Sequence, residues 1–499
     1  MSPQSPIIII GSGIGGLCAA GLLARYGKQV IVCESHTMAG GAAHSFRRRG
    51  FEFDSGPSFY CGLTGKDSLN PIKQVLDALG ESIQVIPYDP LGHYHFPETS
   101  LAVYSNPAQY HQQLHKITPQ GAKEFQQFEQ RLLGLYEAMK GIPTLALRSD
   151  WLVILVLLQR YLPSLAKMLP YLSLVQSSVG NVMDATVKDP WVRRLIDLEC
   201  FLLSGLKAHG TIAPEVAFML GERSRGVEYP VGGSAAIVNA LVRGLEKWGG
   251  KLRLGCHVEQ ILVESGKVTG VRLRNGEVLS AAIVISNATL WDTYNNLLRP
   301  EDLPAAYRES ALKTPAVESF MHLHLGIKAD GLDNLTGHHV VVHDSSQDIT
   351  TPGNTCMISI PSVWDKNLAP EGHHVVHAYT LEPYAGWESN DEYEAKKREK
   401  SQTLYRALER IIPDVRKRVV LELIGTPLTH AHYLRRYQGT YGPAIAAGKG
   451  LFPSTHTPIQ GLYRVGDSTL PGIGVPAVAA SGILCANSLV NVGQMTELL

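Results

Sequence analysis

Net charge is the first thing this chain lacks. Lysine and arginine total 45 against 45 aspartates and glutamates, and charged residues make up only 18% of the 499, below the usual quarter or so of a globular chain. No field of one sign is available to hold a nucleic acid, and so low a charge content suits contact with something apolar. Cysteine is sparse too. Cys18, Cys33, Cys61, Cys200, Cys256, Cys356 and Cys485 are scattered without a C-x-x-C pair, which argues against a disulfide framework or a zinc site and suits free thiols in a reducing compartment. Long hydrophobic runs are missing: the most apolar stretch, WLVILVLL at 151–158, falls far short of the about 20 residues a membrane-crossing helix needs. The isoleucines at 7–10 are too few for the core of a secretory leader and run straight into glycines, so no leader is expected and the mature chain is expected to start here. There is no internal repeat or low-complexity tract. At roughly 150 residues per domain, two or three domains are expected.

What the chain does have begins at those isoleucines. Four in a row read as a parallel strand buried on both faces, and GSGIGG (11–16) follows. Gly11, Gly13 and Gly16 fit G-x-G-x-x-G: the first permits the tight turn, the second lets the backbone approach a pyrophosphate, and the third lets a helix pack on the strand. LCAAGLLARYG continues as a helix ending at Gly27, and KQVIVCE as a second strand that places Glu34 at its end. An acid there accepts the hydroxyls of an adenosine ribose and disfavours a phosphorylated one, leaving FAD or NAD. The candidate contacts are Gly11, Gly13, Ile14, Gly15 and Gly16 in the turn and Glu34 and Ser35 at the strand end. A loop dense in glycine, with Gly40 and Gly41 adjacent, comes next.

Residues 107–225 carry helical spacing and read as a cap; within them WLVILVLLQRYLPSLAKMLPYL (151–172) is either a buried cap helix or a surface that dips into lipid. Residues 229–288 return to a glycine turn, a helix and short strands joined by ESGK and RNGE, the latter an Asn-Gly hairpin signal. Strands such as SFMHLHLGI and HHVVHAYTL and one charged helix fill 300–455. Near the C-terminus LYRVGD (462–467) is a short strand ending in Asp467, and GVPAVAASGILCANSL is a helix rich in small residues. Its start at Gly474 and Val475 offers partial positive charge to an electron-rich ring edge, and Asp467 offers hydrogen bonds to ribityl or pyrophosphate groups.

At this point the chain resembles the carotenoid isomerases (prolycopene isomerases) of cyanobacteria and plant plastids, within the wider phytoene-desaturase-type and retinol-saturase FAD enzymes. GSGIGG (11–16), FDSG (53–56), ECFLLS (199–204), YPVGG (229–233), ISNATLWDTYNNLL (285–298), LAPEGHHVVH (368–377), GTPLTHAHYL (425–434), GTYGP (439–443) and GDSTLPGIGVPAVAASG (466–482) carry the resemblance in family order. It implies an α/β fold with a discontinuous Rossmann-type FAD-binding domain (1–75, 226–300 and 456–499). The rest is a mixed-sheet substrate-binding domain (76–225 and 301–455) with a helical cap at about 107–225. It further implies that Gly11, Gly13 and Gly16 hold the pyrophosphate and Glu34 the ribose, with Gly41, Val258 beside the adenine, and Asp467 and Val475 along the ribityl and ring. Two segments depart from the isomerases: GPSFY (56–60) and the proline at Pro476 in LPGIGVP (470–476) are closer to desaturases and saturases.

The implied reaction is cis–trans isomerisation of a poly-cis carotene such as prolycopene, run on reduced flavin without net redox change. A carotenoid or isoprenoid desaturase or saturase is the alternative, with an amine oxidase or a non-catalytic carotenoid carrier more distant. A second dinucleotide loop is lacking, so a dedicated NADPH domain is not expected and the electron donor is open. The protein is expected in the cytoplasm as a peripheral membrane protein, on a thylakoid or plasma membrane surface, with an apolar polyene as its partner. His322 and His324 alternate on a strand, His373, His374 and His377 cluster, and His430 and His432 are two apart. No spacing matches a zinc pattern, so no metal is expected, and nothing singles out a catalytic acid or base.

Overall fold

The computed structural model describes residues 5–56 and 58–499; Pro57, inside the GPSFY segment, lies outside the described residues. β1 (Ile7–Ile10) is the middle strand of a five-stranded parallel sheet. β2 (Val30–Cys33) and Ile283–Ser286 flank it, and Lys251–Arg253 and Leu462–Arg464 form the edges. Four consecutive isoleucines suit this place because both faces are covered. Ile7 and Ile9 enter the core built with α1 (Ile14–Arg25) and the helix Val475–Ser488, whereas Ile8 and Ile10 enter the core of the other face, as the two-residue period of a strand requires.

That other face is covered by an antiparallel meander, Val258–Glu264, Lys267–Leu273 and Val278–Ser280. Its first turn places Ser265 and Gly266 at φ 49° and 75°, the left-handed pair of a two-residue hairpin loop, at the ESGK sequence. A second, seven-stranded sheet takes its strands from residues 92–103 and 320–425, with Phe320–Lys328 and His373–Leu381 antiparallel neighbours near one edge. Its one parallel pairing, Gly92–His95 with His338–Val342, makes it mixed.

Helices dominate from Pro107 to Arg223. Asn106, Thr118 and Asp189 each cap a helix N-terminus with a side-chain oxygen, and a proline follows each one, where its missing N–H costs nothing. The helices Leu152–Arg160 and Leu162–Met168 differ from the rest: the first buries only Val156 and the second buries none of its residues. The reading of 151–172 as a buried cap helix is therefore overturned. No single helix among the described residues is long and apolar enough to cross a membrane.

The two ends of the chain are joined where α1 packs on the helix Val475–Ser488. A Cβ added at Gly482 would stand 2.6 Å from the Gly15 carbonyl oxygen and 2.9 Å from the Ala19 nitrogen, so only glycine allows this backbone approach. Gly482→Val is expected to destabilise the fold by about 3 kcal/mol, read as a lowered melting midpoint; an unchanged midpoint would contradict the close packing.

Candidate active site

The glycine turn between β1 and α1 is shaped by what lies behind it. A Cβ on Gly13 would come 2.7 Å from Asn287 Nδ2, one on Gly15 3.0 Å from the Gly466 nitrogen, and one on Gly16 2.4 Å from the Gly11 carbonyl oxygen. Gly11 itself sits at φ 92°. The second glycine loop lies directly against the first: Gly13 and Gly40 form a β-bridge, and a Cβ on Gly41 would be 3.1 Å from Gly13 Cα. No side chain caps α1 at Gly13, so its first N–H groups stay available for an anion.

These loops open into a cavity of about 700 Å³. Gly11, Gly13, Ile14, Gly15, Glu34, Ser35, Gly41, Val258, Asp467 and Val475 all line it, although they come from three distant stretches of chain. Gly16 does not line it. Its place is the helix-to-strand contact against Gly11, the packing role of the third glycine. Glu34 is buried, and its carboxylate accepts from Ser12 N at 2.8 Å, Ser12 Oγ at 2.7 Å and His36 N at 2.8 Å. Those bonds fix its orientation before any ligand arrives. The geometry suits a dinucleotide: bare backbone where a diphosphate would approach, an uncapped helix start, and an acid at the next strand end.

Sequence reasoning missed much of the remaining wall. Asn287, with its backbone N–H bonded to the Ile10 carbonyl at 2.9 Å, is the side chain that fills the space behind Gly13, Gly15 and Gly16. Phe201–Gly205, Val317, Phe320, Met357, Tyr379 and Tyr441 give the far end an apolar and aromatic character. Of the two departing segments, Gly56 and Ile473–Val475 reach the cavity, whereas Phe59 packs on His338 with ring centroids 4.2 Å apart. Pro476 falls in the first turn of its helix.

Behind Tyr379 and Tyr441 the sheet register gathers four histidines. His324 pairs with His377 across two strands, the His322 Nδ1 to His377 Nε2 distance is 2.8 Å, and His430 lies over His322 with ring centroids 4.2 Å apart. Ring nitrogens of His322, His324 and His377 lie within 4.8 Å of one another. The rings of His324 and His377 are stacked at 4.3 Å and 8°, however, and parallel stacked rings do not both aim lone pairs at one ion. Burial pushes His324 down to about 4 and His430 to about 3, and it holds His322 and His377 well below the ordinary imidazole range. These are neutral imidazoles packed against one another.

The family model for flavin containing amine oxidoreductases matches residues 14–490. The chain is 36% identical over 498 residues to the chloroplastic prolycopene isomerase of Daucus carota, covering 97% of this chain and 80% of that relative. It is 27% identical over 511 residues to the neurosporene-forming phytoene desaturase of Rhodobacter capsulatus, covering 97% and 93% respectively. Among solved structures, an oxidoreductase from Methanosarcina mazei superposes with a TM-score of 0.62 at 21% identity, covering 96% of this chain and 99% of that one. The likeness shows a shared fold.

Two outcomes follow from this geometry. Gly13→Val and Glu34→Lys are each expected to purify with less than about a tenth of the wild-type flavin, measured by absorbance after denaturation; full occupancy in either would displace the dinucleotide site. Acid should weaken the fold through the histidines. As pH falls from the ordinary 6.5 towards 4, the unfolded chain takes up protons that buried His324 refuses, so stability present above that window is lost within it. His324→Gln should flatten the melting midpoint against pH between those values, and an unaltered slope would contradict the assignment.

Proposed function

The chain belongs to the flavin-containing amine oxidoreductase family, and on that premise we propose that it is a carotenoid cis–trans isomerase, converting a poly-cis carotene such as prolycopene to the all-trans form without net redox change. The observation that carries this reading is the likeness to prolycopene isomerase along 97% of the chain, together with a cavity whose far wall is apolar and aromatic. It is an FAD-dependent enzyme. Reduced FAD, when bound, supplies the electron density that lowers bond order in a conjugated chain and so eases rotation about its double bonds.

The residues of this chain bind, orient and exclude water. The bare backbone at Gly11 and Gly13 and the amides of Ile14 and Gly15 would face the diphosphate, Glu34 and Ser35 the adenosine ribose, and Val258 the adenine. Asp467 would meet the ribityl chain, and the helix start at Val475 would place its partial positive charge at the ring. Phe320, Tyr379, Met357 and the Phe201–Leu203 segment would keep the far end dry, suiting a polyene. No side chain on that wall is a strong acid: burial raises the Tyr379 and Tyr441 phenols far above their ordinary value, which leaves them as neutral wall groups rather than proton sources.

A desaturase is the second reading, favoured by the likeness to phytoene desaturase and by the two departing segments, whose Gly56 and Ile473–Val475 are on the cavity wall. An amine oxidase is disfavoured by the apolar far end, which offers a cationic amine no paired acid.

The exposed apolar surface supports a peripheral membrane location in the cytoplasm, at a thylakoid or plasma membrane face. Trp151 is 74% exposed, and Ile154, Leu158, Leu162, Leu169 and Leu172 are exposed beside it. They lie on two apolar helical segments bent by 98°, a shape suited to lying in the headgroup layer rather than crossing it. Arg160 and Lys167 sit on the same segments, where they would meet anionic headgroups.

Two measurements test this reading. Incubated anaerobically with reduced FAD and prolycopene in liposomes, the protein is expected to yield a more extended trans product of unchanged mass; a change of about two hydrogens would move it to the desaturases or saturases. Replacing Leu158, Leu162 and Leu169 together by Glu should lower co-sedimentation with anionic vesicles at least about tenfold while leaving flavin content intact. Wild-type sedimentation of the triple variant would remove the membrane surface from the account.

A further inference from the structure

The segment Tyr433–Tyr441 lines the cavity with Tyr433, Leu434, Arg435, Arg436 and Tyr441, and its backbone is under constraint. It leaves the helix Pro427–Leu434 through Arg435 at φ 51°, and Gln438 follows at φ 50°. Two non-glycine residues in the left-handed region are kept only where surrounding contacts over-determine them. Those contacts are present: Tyr437 N donates to Asp292 Oδ2 at 2.8 Å, and the Tyr437 ring stacks on Trp291 with centroids 5.0 Å apart. What this arrangement places in the cavity is Arg436.

Tyr433 lies against His36, with centroids 6.3 Å apart, at the Glu34 end. Arg436 reaches Asp467, the residue after Gly466, whose nitrogen stands 3.0 Å from where a Gly15 Cβ would be. The guanidinium is thereby tied to the chain segment that packs against the start of α1. Its Nε donates to the Thr440 carbonyl at 2.6 Å and its Nη2 to Asp467, while Nη1 has no partner among the described residues and the side chain stays 18% exposed. Around it the wall carries Glu34, Glu259, Asp292 and Asp467 against Arg274, Arg435 and Arg436. Neither glycine loop, 11–16 or 35–44, carries a lysine or an arginine. A diphosphate placed among those carboxylates needs a fixed positive charge nearby, and a guanidinium fork matches its oxygens.

We propose that Arg436, which lines the same cavity as the glycine turn, is a binding residue for the FAD diphosphate, with Asp467 and Thr440 keeping the guanidinium aimed. This rests on the FAD reading above. The test is the rate at which FAD leaves the full-length holoprotein on dilution, followed by the fluorescence of the freed flavin. Arg436→Gln is expected to release FAD at least about tenfold faster than wild type, and to do so again in an Asp467→Asn background. Release within about twofold of wild type, or an effect that vanishes in the Asp467→Asn background, would overturn the proposal by making Arg436 only a partner of Asp467. Should Arg436→Gln fail to fold, Arg436→Lys carries the test, with release at least about threefold faster expected and wild-type release overturning it. A wild-type protein that holds no FAD would instead sink the cofactor reading itself.

Discussion

The structure depends on one close approach of backbone. Gly15 and Gly16 at the start of α1 are pressed between Asn287, Gly466 and the helix Val475–Ser488, with no room for a side chain at Gly13, Gly15, Gly16 or Gly482. Asn287 is anchored to Ile10 and Gly11 to Cys33, so the turn is tied into the parallel sheet on both sides. Three stretches of chain hundreds of residues apart are thereby forced to meet at one turn, and the cavity is the space their meeting leaves in front.

That origin explains the cavity's asymmetry. Near the turn the wall is backbone and carboxylate, built from two glycine loops and the uncapped start of α1. Away from it the wall comes from the cap and the seven-stranded sheet, whose inward residues are aromatic or aliphatic because they continue a core. A polar cofactor and an apolar substrate can share such a space without either being taken from a suitable environment. The neutral histidines behind Tyr379 and Tyr441 continue the same logic: uncharged, they back the wall without placing a charge beside a polyene.

The local parts of this arrangement were legible in the sequence. Buried isoleucines, a spaced glycine triplet and an acid after the second strand are each dictated within about thirty residues, and ESGK and RNGE announce their own hairpins. The parts that were not legible arise from register and long-range contact. Nothing near Asn287 shows that it backs a turn more than 270 positions earlier, and the spacing of His322, His324, His377 and His430 hides the cross-strand pairing that stacks them. Gly16 fitted the motif, yet its place is against Gly11, because the third glycine serves the helix rather than the ligand. Arg436 was invisible for a related reason. A single arginine after HAHYLR carries no pattern, and only the left-handed backbone beside it and the pairing with Asp467 mark it out. The exposure of 151–172 also needed the structure, since an apolar run reads the same whether it faces a core or a membrane.

On this reading one cavity joins a flavin to a polyene and returns its electrons. The most direct measurement is a single turnover, mixing anaerobic reduced holoprotein with an equal amount of prolycopene and recording the flavin absorbance until the carotene stops changing. The carotene is expected to become all-trans while the flavin ends fully reduced. A flavin that ends oxidised in proportion to the carotene consumed would contradict it, showing hydrogen passed to the polyene and kept there.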